Sequence, residues 1–309
     1  MKKLKSFLCA AAVAGAFLFG ASTAEAEGPA MWRIETPNNT IHIFGSVHAL
    51  KDTPKYPKKV LDAFDKADNL VLELDLRDYG QTYRTKMEEK TAILRPGWKL
   101  RDIIGPQLYY KTQVRAGEYM LDMTYLDMLA PFAVAEILMM MPPMDAAPVE
   151  VDDWVLRENG VETYFEKRAQ RMGKEILELE DLEVQMKIFA GLDMEMQKLY
   201  LKDFLEDDTP TYKRQKWFDD TVKYWSEGNV EKLGELILEE QFDMIDPDLA
   251  QAVYDRILVQ RNENWVPVIE GYMNQKQDYF VIAGAAHFIG EHSVIKLLRD
   301  RGYYVERVN

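Results

Sequence analysis

Cysteine is nearly absent from this 309-residue chain: the only one, Cys9, lies close to the N-terminus. Because we expect residues 1–26 to be removed, the mature chain should carry no thiol. This excludes disulfides, thiolate metal ligands and a cysteine nucleophile. Histidine is scarce too, with four residues. The H-E-x-x-H, Walker A and G-x-G-x-x-G motifs are missing where they would function, which sets those enzyme classes aside.

Residues 1–26 have the pattern of a cleavable secretory signal. Lysines at positions 2, 3 and 5 precede an apolar run over 7–19, and the small-residue site Ala24-Glu25-Ala26 follows. An uncleaved anchor is less favoured, because the run is short and rich in alanine and glycine for a bilayer span. A lipoprotein is disfavoured, since no small residue directly precedes Cys9. We expect a secreted or periplasmic protein that begins near Glu27, without stable membrane insertion.

Positive charge is also in short supply. The formal net charge is −14, and it becomes −16 once the signal's three lysines and one glutamate are removed. So acidic a chain is a poor partner for nucleic acid or an anionic membrane. No low-complexity tract or polar linker divides the sequence, which favours one domain over 27–309 with helical insertions at about 99–144 and 193–262.

Short β-favouring runs alternate with helical patterns. Residues 31–35 and 40–44 flank a turn-rich tetrapeptide and predict a hairpin. Pro57 opens a helix, and the apolar run 70–76 predicts the next strand. This order is typical of an α/β (α+β) fold with a central mixed sheet and flanking helices.

The methionine-rich stretch 99–144 predicts an inserted helical layer. Core packing is the favoured interpretation, and a mobile lid or substrate groove is the alternative.

The second half repeats the alternation. Residues 161–172 predict a helix that Gly173 ends, and 176–180 predict a strand. The stretch 193–262 is helical, and Pro267 is expected to break or restart the last helix. A strand over 279–283, a loop over 284–290, a helix over 293–299 and a closing strand over 303–308 complete the chain.

Two distant segments carry the same pattern, an apolar strand that ends in G-x-x-H. They are 41–48, which ends in Gly45-Ser46-Val47-His48, and 280–287, which ends in Gly284-Ala285-Ala286-His287. Glycine permits a sharp turn at the strand end, and ligands bind at the carboxyl ends of parallel strands. A single such motif is weak evidence. Its repetition, with half of the histidines in matching positions, predicts that both imidazoles reach one metal ion.

The two remaining histidines are weaker candidates. His42 alternates in a strand with Ile41 and Ile43 and is expected to be structural or solvent-facing. His292 precedes the last helix, so a capping or supporting role is favoured over direct ligation.

Three charged side chains have both a functional and an ordinary interpretation. Glu73 interrupts an apolar strand, so it faces either a polar site or the strand's wet side together with Asp75. Glu180 poses the same choice more weakly. Arg261 is either a surface ion-pair partner or an anion-binding group.

A serine hydrolase is disfavoured. Ser46 lacks the G-x-S-x-G turn, and a serine two positions before a histidine does not by itself form a hydrogen-bonded pair.

The arrangement resembles the TraB/PrgY/GumN family, which is related to the Tiki proteases and more distantly to the erythromycin esterase and ChaN-like fold. The first motif usually reads G-T-x-H in that family, and Ser46 replaces the threonine. Glu162 stands where aspartate is more common. The resemblance covers nearly the whole mature chain and lies in the following pieces: 31–34, 44–48, 72–73, 160–162, 179–180, 261–262 and 281–290.

The resemblance implies that His48, Glu73, Arg261 and His287 gather at one site with Glu180 nearby. Tiki proteins look like manganese- or cobalt-dependent peptidases, and the pheromone-shutdown branch is thought to bind or inactivate peptides.

We therefore expect a metal-dependent hydrolase of a peptide or small amide or ester. His48 and His287 would hold a divalent ion such as manganese, cobalt or zinc. Glu73 would ligate the ion or act as general base, and Arg261 would stabilise the oxyanion. Gly45, Gly284, Glu180 and His292 would support them.

One alternative is a non-catalytic secreted binding protein that sequesters a peptide or a haem-like ligand. Another is a scaffold whose histidines are merely structural.

Overall fold

The computed structural model describes residues 28–48, 50–75, 85, 90–139, 159–240 and 246–309. Six strands form one mixed sheet in the order β4-β3-β5-β2-β1-β6. The strands are β1 Met31–Glu35, β2 Thr40–Ser46, β3 Asn69–Leu72, β4 Glu175–Glu178, β5 Tyr279–Gly284 and β6 Glu306–Arg307. With its flanking helices, this sheet confirms the predicted α/β class.

The strand register brings the two G-x-x-H motifs side by side. β1 and β2 form the predicted antiparallel hairpin. β2 and β5 run parallel, with Gly45 opposite Ala283 and Ser46 opposite Gly284. β3 lies on the other side of β5, also parallel. Three carboxyl strand ends therefore meet at one edge of the sheet, where β2, β5 and β3 deliver the residues that follow them.

Helices cover both faces of the sheet, which explains why every residue of β3 and β5 is buried. The helices on one face are α1 Lys58–Lys66 and α5 Val161–Met172, and those on the other are α11 Gln260–Met273 and α12 Val294–Asp300. Gly173 ends α5 in the left-handed conformation, as predicted.

The other named helices lie within or beside the predicted insertions. They are α2 Leu100–Glu118, α3 Met123–Leu126, α4 Pro131–Met139, α6 Leu182–Ala190, α7 Met194–Glu206, α8 Thr211–Ser226, α9 Val230–Gly234 and α10 Pro247–Tyr254. α2, α4 and α7 share a hydrophobic core of their own, with Leu100, Val134 and Leu201 fully buried. The layer packs mainly through leucine, valine and alanine, whereas Met120 and Met128 are 93% and 49% exposed and Met123 and Met139 are partly buried. Core packing and a lid or groove both stay open for the methionines; residues 140–144 lie outside the described residues.

Several local expectations were wrong. Pro267 lies inside α11 and does not break it. The strand expected over 70–76 ends at Leu72, which leaves Glu73 in a bend. The wet strand face proposed for Asp75 is also wrong, because this residue is buried. The loop after β5 contains the 3-10 turn Ala285–Phe288.

The remaining expectations concern the edges of the fold. The strand expected over 303–308 is present only as the two residues of β6. The strand expected over 176–180 is present as β4, Glu175–Glu178. The predicted signal lies outside the described residues. Among the residues that are described, none of the helices is long and apolar enough to cross a bilayer.

Candidate active site

Three of the predicted residues converge on the backbone of Gly284. A Cβ atom at this position would lie 3.4 Å from His48 Nε2, 3.5 Å from Glu73 Oε1 and 3.7 Å from His287 Cδ2. The absence of a side chain thus keeps open the space between these groups. Gly45, on the neighbouring strand, has little room for a side chain for another reason: a Cβ atom there would lie 3.2 Å from the Ala285 backbone. Both motif glycines permit close packing.

Arg261 is the centre of the buried part of the site. Its Nε donates to both carboxylate oxygens of Glu180, at 3.0 and 3.1 Å. Its Nη2 donates to Glu73 Oε2 at 2.5 Å and to Glu180 Oε1 at 2.7 Å. Its Nη1 lies 3.1 Å from both the Ile257 carbonyl oxygen and His287 Nε2. All five N–H donors of the guanidinium are therefore engaged by the protein itself.

Two backbone features place Arg261 between the carboxylates. The π-helical turn Asp255–Val259 directly precedes α11 and supplies the Ile257 carbonyl. Beyond β3 and β4, the Glu180 N–H donates to the Glu73 carbonyl at 3.1 Å. This bond continues the strand pairing and sets the two side chains next to each other.

Glu73 is held as an anion. Burial by itself raises the pKa of Glu73, but the charge of Arg261 and the Gly284 N–H, which donates at 2.7 Å, hold this pKa well below its usual value. A carboxylate with so low a pKa is a weak base near neutral pH. The structure thus shows Glu73 as a fixed anion, and its predicted role as ligand or general base stays a prediction.

His287 is buried and neutral. Burial lowers the pKa of His287 to about 3, and the positive charges of Arg261 and His48 act in the same direction. The Glu73 carboxylate acts in the opposite direction. Because Arg261 can only donate, His287 Nε2 accepts, and Nδ1–H donates to Asn262 Oδ1 at 2.6 Å. Asn262 is fixed in turn by donating to the His292 carbonyl at 2.8 Å. The ring also contacts Trp265, with centroids 4.3 Å apart.

His48 differs from the other site residues because it faces solvent, with 62% of its side chain exposed. Its Nδ1 lies 2.8 Å from Glu162 Oε1. Ser46, buried at the end of β2, donates to the same oxygen. Ser46 therefore bonds a carboxylate, and the structure gives no support to a serine nucleophile.

The predicted metal ligands have partners within the protein. Both nitrogens of His287 are engaged, Nδ1 by Asn262 at 2.6 Å and Nε2 by the cationic Arg261, whose Nη1 lies 3.1 Å away. Across the described parts of the chain, no group of three or more histidine, cysteine or acidic side chains is arranged to hold a metal ion. In this structure Arg261 lies on the Nε2 side of His287, and metal ligation by His48, Glu73 and His287 stays a prediction.

The structure thus brings five predicted residues together: His48, Glu73, Glu180, Arg261 and His287. Arg261 was expected to contact an oxyanion; here its donors engage the protein itself, and the oxyanion role stays a prediction.

His292 was a candidate for helix capping, and this is also wrong. The residue is exposed, and Ser293 caps α12 by accepting from the Lys296 N–H. The His292 carbonyl accepts from Asn262 Nδ2 and its ring lies edge-on to Tyr254; a supporting role of this residue stays a prediction. His42 lies in the middle of β2 and stacks on Phe280.

Sequence reasoning missed two supporting residues and left a third open. Asn262 and Trp265 follow Arg261 on α11, and Trp265 donates to Glu180 at 2.8 Å. For Trp265, its position four residues after Arg261 was the available signal; no such spacing marks Asn262. Glu162 was noticed only as a departure from the family pattern, and its contact with His48 depends on tertiary packing.

The family comparison covers nearly the whole chain. The family model described as the TraB/PrgY/gumN family matches residues 30–307, and the chain belongs to this family. Comparison with curated proteins finds no relative that matches the chain.

Proposed function

We propose that the protein is a hydrolase that cleaves an amide or ester bond in a peptide or similar small substrate, with His48 as the general base. The observation that carries this proposal is the position of His48. It is the solvent-facing member of the site, it lies at the carboxyl ends of parallel strands, and it is flanked by the carboxylates of Glu73 and Glu162. An imidazole can accept and return a proton near neutral pH.

The proposed reaction proceeds by proton transfer at His48 Nε2. This nitrogen takes a proton from a water molecule, whose oxygen attacks the substrate carbonyl carbon. The imidazolium that forms is stabilised by the negative charges of Glu73 and Glu162. Collapse of the tetrahedral intermediate breaks the bond to the leaving nitrogen or oxygen, which receives the proton from His48.

Arg261 and His287 support the reaction without contacting the substrate. Arg261 holds Glu73 in its ionised form by a charge-assisted hydrogen bond. His287, as a neutral imidazole, accepts a hydrogen bond from Nη1 of the guanidinium through its Nε2. The buried cluster thus presents one fixed carboxylate, Glu73, next to His48.

Dependence on manganese, cobalt or zinc stays a prediction from the paired motifs and the family resemblance, and export stays a prediction from the signal pattern of residues 1–26. A divalent ion at His287 would require Arg261 to leave its Nε2 atom. Metal analysis of purified protein, before and after loading with each ion, tests the first expectation. N-terminal sequencing of the exported protein tests the second.

The first test replaces His48 with alanine. We expect kcat/KM on a cleavable peptide or ester from a substrate library to fall by about 10²- to 10⁴-fold, because the proton acceptor is lost. The fold should be kept, since the side chain is mostly exposed. His292→Ala serves as the matched control, because its ring is exposed as well and lies outside the cluster. Equal loss in both variants would contradict the assignment of His48.

The binding-protein alternative has one observation in its favour. The helical region carries a cleft of about 560 Å³ whose lining includes Trp98, Ile103 and Met194. Trp98 is 53% exposed, which suits contact with an apolar ligand. If the unmutated protein hydrolyses no library member but retains a peptide whose binding survives His48→Ala, this alternative replaces the hydrolase.

A further inference from the structure

Glu162 lies at the start of α5 and contacts His48 in the loop that follows β2. It lies in the first turn of that helix, and 22% of its side chain is exposed. One oxygen, Oε1, accepts a hydrogen bond from the Ser46 hydroxyl and also lies 2.8 Å from His48 Nδ1. An ionised carboxylate only accepts hydrogen bonds, so the His48 nitrogen that faces it must carry the proton.

We propose that Glu162 is a positioning residue that fixes the Nδ1–H tautomer and the ring orientation of His48, so that the Nε2 lone pair faces the reaction space beside Gly284. This inference rests on the proposed hydrolase. It assigns to Glu162 the role that a carboxylate has behind many catalytic imidazoles, where it holds the ring rather than taking up the proton.

The backbone around Glu162 is built to keep this contact. The Val161 N–H donates to the Val47 carbonyl at 3.4 Å. Farther along, Asn159 Nδ2 donates to the Lys51 carbonyl at 2.9 Å. The start of α5 and the loop that carries His48 are thus connected on both sides of the histidine. A fixed loop reduces the freedom of an otherwise exposed side chain, which suits a base that must keep one orientation.

Ser46 contributes to the same arrangement. It is 2% exposed and its hydroxyl donates to Glu162 Oε1. This bond holds the carboxylate in place from the strand side while α5 holds it from the helix side. Glu162 is therefore constrained by two elements before it contacts His48.

The experiment compares Glu162→Ala, Glu162→Gln and Glu166→Ala by NMR and kinetics. At pH 8, long-range ¹⁵N–¹H spectra of the full chain should show the proton of His48 on Nδ1 in the unmutated protein. Glu162→Ala should lose this preference and lower kcat by about 10- to 100-fold, with little change in KM. Glu162→Gln keeps an accepting oxygen, so it should retain the tautomer and part of kcat.

Glu166→Ala is the matched control. This residue lies one turn along α5 and bonds Gln170, so its removal should change neither the His48 spectrum nor kcat. If His48 carries its proton on Nε2 in the unmutated protein, or if Glu162→Ala leaves tautomer and kcat unchanged, the inference is wrong. If the unmutated protein hydrolyses nothing, the proposed function fails, and the tautomer comparison still decides the role of Glu162.

Discussion

Arg261 shows what a single buried charge does for this fold. Its guanidinium is 7% exposed and lies between Glu73 and Glu180, whose side chains are 13% and 4% exposed. Burying a charge is costly unless it is paired and hydrogen-bonded. Here the Arg261 cation donates hydrogen bonds to two carboxylates and to a neutral histidine at the same time. The cluster therefore depends on all five of its donors.

Replacing Arg261 with methionine tests this dependence. The change leaves Glu73 and Glu180 buried without their partner, and we expect the free energy of unfolding to fall by about 3–5 kcal/mol. Urea unfolding followed by circular dichroism measures it. Arg301→Met is the control, because Arg301 pairs with Glu270 at an exposed position, 44% and 25% exposed. Its loss should cost less than about 1 kcal/mol. Similar losses in the two variants would show that the buried cluster contributes no special stability.

His48 and His287 illustrate how the same motif can serve two purposes. Both follow an apolar strand and a glycine, yet one side chain is 62% exposed and the other 5%. The difference arises from what packs above each loop: the start of α5 beside the first and α11 over the second. Matching local motifs therefore do not imply identical roles in the site.

Helix α11 carries three residues of the cluster and contains an internal proline. Arg261, Asn262 and Trp265 all lie in its first half, ahead of Pro267. Proline removes the N–H that would bond the carbonyl four residues earlier, but Pro267 is exposed. The proline ring therefore lies on the solvent side of the helix, which continues past it.

Substituting Pro267 with alanine should stabilise the protein. The alanine N–H restores the helical hydrogen bond, and we expect a gain of about 1–2 kcal/mol after allowing for the greater freedom of the unfolded chain. Thermal unfolding measures the change. Asn264→Ala, on an exposed position of the same helix, should gain less than about 0.7 kcal/mol. A loss of stability on removing Pro267 would mean that a bend at this proline is needed to seat the cluster.

The whole molecule combines a negative net charge with buried neutral histidines. Burial, with Arg33 adding to it, lowers the pKa of His42 to about 4, and the pKa of His287 is lowered to about 3. In the unfolded chain both titrate near 6.5. Between pH 6.5 and these values the unfolded state binds more protons, so stability falls as the pH falls. Glu73, whose pKa is also lowered, adds to this loss below its ordinary value of 4.5.

The expected outcome is a free energy of unfolding that is constant above about pH 7 and declines through pH 4. Each histidine contributes a slope of up to about 1.4 kcal/mol per pH unit. His42→Gln should reduce that slope between pH 6.5 and 4 while leaving His287's part in place. Because packing changes shift the whole curve equally, only the slopes are compared. Identical slopes for the two proteins would show that His42 is not neutral in the fold.

The sequence determined the local elements and the two motif strands. The hairpin, α1 and α5 follow from patterns within a few residues, and so does the apolar character of β3 and β5. Such patterns arise because one or both faces of an element are buried, and a short stretch of sequence is enough to show this. The paired G-x-x-H motifs also indicated where the site lies.

Only the tertiary structure decided what the site residues do. Arg261 engages Glu73 from 188 positions away and His287 from 26, and Ser46 bonds Glu162 across 116. Whether a guanidinium, a metal ion or water meets His287 Nε2 depends on the register of α11 against the sheet. The same holds for His48, whose tautomer depends on where α5 begins. These contacts are set by packing between distant elements, and no local pattern encodes them.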